Sequence, residues 1–143
     1  MKTIKQILND KTKPLTTVAI DATVQKAMDL MRDRDSGAVL VVDGDKLKCI
    51  FSERDCLHKV SSLGRNPKEV KVGDVMTSKV RYVTLDAEVS QCLALMTERF
   101  LRHLPVLDDQ QNILGIISIG DLVKAKISDQ SFIIEQLERY ITS

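Results

Sequence analysis

Apolar residues fall at helical spacing twice along this chain. Val24, Ala27, Met28 and Met31 form one such set, and Val89, Cys92, Leu93 and Met96 form the other. The spacing predicts two amphipathic helices. Each is preceded by a short extended piece, TTVAI (16–20) or VRYVTL (80–85), and by an aspartate, Asp21 or Asp86, placed to cap the helix. Each is followed by consecutive apolar residues, AVLVVD (38–43) or LPVLD (104–108), which read as a strand. A polar turn comes next, DGDK or DDQQN, and then a second strand, KCIF (48–51) or LGII (114–117), pairing back as a hairpin. Finally Ser-x-x-Asp opens another helix, CLHKV (56–60) or LVKAK (122–126).

The two patterns are copies. Asp21-Ala22 falls on Asp86-Ala87, Met31 on Met96 and Asp43 on Asp108, at one constant offset. After one added residue, Ser52 falls on Ser118 and Asp55 on Asp121. The starts match loosely, TIKQIL (3–8) against KVGDVM (71–76). A single unit this short is marginal alone, so two copies are expected to pack through their sheets. The predicted class is α+β, an α/β sandwich of two tandem β-α-β-β-α repeats. The expected divisions are a first repeat at 1–62, a linker at 63–70 and a second repeat at 71–127. An extra helix follows at 128–143, with Phe132, Ile133, Leu137, Tyr140 and Ile141 along one stripe. That stripe would pack on its own domain or meet a second chain.

Composition narrows the function. Charged residues make up 29% but nearly cancel at +1. A phosphate-driven nucleic-acid binder shows a basic excess, and aromatic residues for stacking bases reach only 3%. Nucleic acid is therefore not expected as a partner. Cys49, Cys56 and Cys92 lack the paired spacing of a zinc site or disulfide framework and read as buried thiols of a reducing compartment. No leader-like apolar segment or membrane-length run is present, so a cytoplasmic, membrane-free protein is expected. No nucleophile–base arrangement, metal cluster or Gly-rich phosphate loop stands out, which argues against an enzyme. A reactive Cys56 beside Arg54 and His58 is the residual catalytic idea.

The duplicated Ser-x-x-Asp carries the candidate chemistry. Ser52 and Ser118 stand where a strand becomes a helix, and the first N–H groups there lack intrahelical partners. A helix cap explains one such motif. The same geometry also suits a nucleotide: helix N–H groups and Ser favour a phosphate, and an ionised Asp accepts from both hydroxyls of a ribose.

A tandem repeat ending in hairpin, Ser-x-x-Asp and helix resembles a pair of CBS domains, named for cystathionine beta-synthase. RHLPVLD (102–108) with GIISIGDLV (115–123) is a close match, and the resemblance covers residues 3 to 127. It implies a non-catalytic regulatory module for adenosine-containing ligands, AMP first, then ADP, ATP, NAD or S-adenosylmethionine. It also implies disc-shaped homodimers and an effector protein as partner. Two composite clefts are implied. One combines Ser52, Arg54 and Asp55 with Val80, Tyr82, Arg102, His103, Leu104 and Pro105. The other combines Ser118 and Asp121 with Thr16, Thr17, Val18, Gly37 and Ala38. Cationic residues are expected to concentrate in the first. A protein-interaction adaptor with a structural CBS pair is the alternative.

Overall fold

The structure, a computed structural model, describes residues 2–12, 14–76 and 80–142, with the side chains of 141 and 142 outside the description. Elements run α1 (Ile4–Asp10), β1 (Thr17–Ala19), α2 (Val24–Asp33), β2 (Ala38–Asp43), β3 (Lys46–Ser52) and α3 (Glu53–Lys59). They continue with α4 (Val72–Val75), α5 (Val89–Arg99), β4 (His103–Leu107), β5 (Ile113–Ser118) and α6 (Ile119–Thr142). The α+β class holds.

Each repeat builds the same hairpin. Ala38 pairs with Ser52 in one, and His103 with Ser118 in the other. Both hairpins shift register at the same aligned step, between Val41 and Val42 and between Val106 and Leu107. Strand β1 lies parallel to β2. In the second repeat the extended piece narrows to one parallel bridge, Val83 to Val106. The hairpin strands read as unbroken apolar runs because both faces are covered. Val39 and Val41 enter one core, while Ala38 and Leu40 are buried on the opposite face. Leu104 and Val106 enter the other core, with Pro105 and Leu107 buried behind them.

The cores do not follow the chain order of the repeats. Ile4 and Ile7 of α1 pack into the second core with Val89, Met96 and Leu122. Their aligned counterparts, Val72 and Val75 of α4, pack into the first core with Val24, Met31 and Phe51. Each repeat thus lends its opening helix to the other. Gly115 permits one crossing, since a Cβ there would stand 2.8 Å from Leu8 Cδ2. Gly73 permits the other, where a Cβ would stand 2.8 Å from the Ile20 carbonyl oxygen.

Two local expectations change. The caps are not Asp21 and Asp86 but Thr23, whose hydroxyl accepts from the Lys26 amide at 3.1 Å, and Glu88. Asp86 instead accepts from the Thr84 hydroxyl in the preceding turn. The C-terminal tail is not a separate helix. It continues α6 without a break, because neither Gly nor Pro interrupts 121–142. Leu122 and Ala125 anchor α6, but residues 130–140 are exposed, so the tail does not pack on its own domain. The side chain of Ile141, predicted to join its stripe, lies outside the described residues.

Candidate functional site

Both Ser-x-x-Asp motifs cap their helices. At α3 the Ser52 amide and hydroxyl donate to Asp55 Oδ2 at 2.9 and 3.0 Å, and the Asp55 amide donates back to Ser52 Oγ at 3.3 Å. Lys59, one turn on, lies 3.5 Å from Asp55 Oδ1. At α6 the Ser118 amide donates to Asp121 Oδ2 at 2.8 Å, and the Asp121 amide donates to Ser118 Oγ at 3.1 Å. Asp121 has one further partner from far along the chain. Lys11 Nζ donates to Asp121 Oδ2 at 2.9 Å and to the Ile116 carbonyl at 2.8 Å. Burial pushes the Asp121 carboxyl up, but Lys11 and the Ser118 amide outweigh it and hold it below the usual carboxylate value.

Asp121 opens onto a cleft of about 760 Å³ between the repeats. Ser36 and Gly37 line one wall, Ile116 and Ser118 another, and Lys2, Lys11, His103 and Lys124 stand around it. A smaller space of about 150 Å³ adjoins, lined by Leu8, Leu15, Thr16, Ala38, Leu114 and Ile116 among others. Arg34 closes one side of that space, donating to Thr16 Oγ1 at 3.2 Å. Ser118, Asp121 and Gly37 therefore line the Asp121 cleft, while Thr16 and Ala38 line the adjoining space. Thr17 is exposed on β1, and the Val18 side chain belongs to the first core, so neither lines this cleft.

The residues predicted for the other cleft have varied surroundings among the described residues. His103 faces the Asp121 cleft instead, for a Cβ on Gly37 would lie 3.3 Å from His103 Cε1. Leu104 and Pro105 are buried, Leu104 in the second core. The Tyr82 hydroxyl accepts from Gln111 Nε2 at 3.2 Å in the far hairpin turn. Val80 is half-buried, and Arg54 and Arg102 are exposed. The expected concentration of cations around Asp55 is also overturned. Lys2, Lys11 and Lys124 line the Asp121 cleft, where Asp10, Asp35 and Asp121 counter them. Sequence reading missed these lysines because α1 reaches the second repeat only through the crossover, and no local pattern encodes a crossover.

Burial and the Lys11 charge hold the His103 imidazole below its ordinary pKa of 6.5, with Asp121 opposing and Arg102 adding to the fall. Burial, with Asp55 and Glu53, pushes the Cys56 thiol up to about 11. Cys56 is thus a protonated core thiol at neutral pH, the opposite of an activated nucleophile. Among the described residues no cluster of His, Cys, Asp and Glu is placed to hold a metal ion, and no helix is long and apolar enough to cross a membrane.

The CBS-domain family model matches residues 4–62 and 72–128. The chain belongs to the CBS-domain family. As a tandem CBS pair it is 36% identical over 126 residues to the mitochondrial CBS domain-containing protein CBSX3 of Arabidopsis thaliana, covering 85% of this chain and 61% of that protein. The CBS domain-containing protein YhcV of Bacillus subtilis is 29% identical, with 90% of each chain covered. A solved CBS-domain protein from Burkholderia ambifaria MC40-6, provisionally assigned to signal transduction, is 45% identical with a TM-score of 0.85, covering 90% of this chain and 96% of its own. The crossed helices and matched hairpins are thus the frame of a CBS pair, with the Ser118–Asp121 box at a composite cleft.

Proposed function

We propose that this CBS pair binds an adenosine-containing nucleotide in the Asp121 cleft, without catalysis, and passes the bound state to an effector. AMP is the first candidate, before ADP, ATP, NAD and S-adenosylmethionine. The observation that carries the reading is a carboxylate at a helix start, opening onto a composite cleft lined by lysines and adjoined by a largely apolar annex that Lys11 and Arg34 also border. Asp121 would accept from the ribose diol, the annex would take the purine, and the α6 N-terminus with Ser118 would face the phosphate. A ligand touching both repeats biases their packing by its differential affinity for the two arrangements. The provisional signalling assignment of the Burkholderia relative supports a sensing role.

The partner we propose first is a second copy of this chain. Phe132, Ile133, Ile134, Leu137 and Tyr140 lie exposed on the free end of α6, Tyr140 at 84%. An apolar helix end of this kind is an interaction surface. It also favours the adaptor alternative, in which the CBS pair only presents α6 to another protein. Calorimetry with the five ligands separates the two. Binding of AMP with about one site per chain supports the nucleotide reading. Silence from all five at millimolar concentration leaves the adaptor.

A further inference from the structure

The carboxylate proposed to hold the ribose already has a cationic partner. Lys11 Nζ sits 2.9 Å from Asp121 Oδ2, and the pair is only about a quarter exposed. At the mouth of the cleft, Lys2 pairs with Asp10 at 3.0 Å. Lys11 and the Ser118 amide both occupy Asp121 Oδ2, so a diol that engages both carboxylate oxygens must compete with the Lys11 ammonium.

We propose that Lys11 makes the cleft selective for phosphorylated ligands, exchanging Asp121 for the ligand phosphate on binding; this rests on the nucleotide reading above. The exchange conserves charge pairing. Before binding, the ammonium meets a carboxylate. After binding, the diol donates to that carboxylate and the ammonium meets the phosphate, reached by rotation of its flexible four-carbon stem. A nucleoside competes with the same ion pair and brings no anion of its own, so the ammonium is left to the neutral Ile116 carbonyl and the carboxylates at the cleft rim. Selectivity against nucleosides thus comes from the cost of opening the pair, not from a phosphate pocket already formed. Specificity of this kind penalises the wrong ligand as well as rewarding the right one.

The test is calorimetric titration of AMP and adenosine into wild type, Lys11→Met and Lys11→Gln, with thermal melts to establish folding. In wild type AMP is expected to bind more tightly than adenosine by on the order of a hundredfold, because adenosine opens the ion pair and offers the ammonium no charge-assisted hydrogen bond in return. Removing the ammonium is expected to weaken AMP by on the order of tenfold and to tighten adenosine several-fold, collapsing the ratio. Equal affinity of wild type for the two ligands overturns the proposal, as does a ratio unchanged in whichever Lys11 variant folds. In either case measurable AMP binding leaves the nucleotide reading standing. Failure of both ligands to bind wild type overturns that reading and the selectivity proposal together.

Discussion

Two copies of one motif, four residues long, meet different fates in this molecule. At Asp55 the carboxylate's partners are local: Ser52 three positions back and Lys59 one turn ahead. At Asp121 the same cap is completed, but Lys11 arrives from 110 positions away and a cleft opens beside it. The contrast teaches that Ser-x-x-Asp by itself specifies a helix start. What makes one copy a candidate ligand site is the element packed over it, and here that element is the crossed helix α1. The difference between the two copies therefore lies in the tertiary placement of the motif.

The crossover gives the widest separation between the halves. Ile4→Ala, though it lies in the first repeat, is expected to cost about 2–5 kcal/mol, the usual penalty for emptying a fully buried aliphatic site. Hydrogen exchange should show the loss in α5 and β4 of the second core. Protection lost chiefly in α2 and β2 would contradict the crossed packing. A smaller effect is expected at the crossing itself. Gly115→Val forces a side chain against Leu8, whose Cδ2 stands 2.8 Å from the place the new Cβ must take. The overpacking should cost roughly 1–3 kcal/mol by chemical denaturation. AMP affinity should fall with it, because Lys11 directly follows α1.

Much of this frame was legible from the chain. The repeat, the four hairpin strands, the helix starts at Glu53 and Ile119 and the sheet faces buried on both sides follow from periodicity and from continuous apolar runs. The exchange of α1 and α4 was not legible, because Ile4 and Val72 look alike and nothing in their spacing says which core they enter. Thr23 displaced Asp21 as cap because capping depends on where the backbone becomes helical, a matter of two residues. For the site, Ser118, Asp121, Gly37 and Ala38 were readable from the doubled motif and the family resemblance. The lysines were not, and His103 was assigned to the wrong cleft because strand alternation, which turns its ring toward Gly37, requires the hairpin register.

The caps sharpen the comparison at smaller magnitude. Ser52→Ala and Ser118→Ala should each cost about 1 kcal/mol of stability, since each removes an N-cap. Only Ser118→Ala should also weaken AMP. Equal losses of affinity in both would point to two equivalent sites and contradict the single-site reading. The smallest expected effect is on His103. Its pKa in the folded chain lies below the ordinary 6.5, so the unfolded chain takes up the proton first. This stabilising contribution is complete above pH 6.5 and declines as pH falls below it. NMR titration of the His103 ring should show the lowered value, and AMP should raise it by bringing an anion near. A ring already protonated at pH 7 without ligand would contradict the burial assigned to it.

The most direct measurement is calorimetric titration of AMP into wild type, Asp55→Ala and Asp121→Ala. The expected result is one site per chain in wild type, retained in Asp55→Ala. In Asp121→Ala the affinity should fall by on the order of tenfold to a hundredfold, since the diol then has no carboxylate to accept its hydroxyls. Binding that survives in Asp121→Ala and disappears in Asp55→Ala would place the ligand in the other half of the molecule and contradict the account.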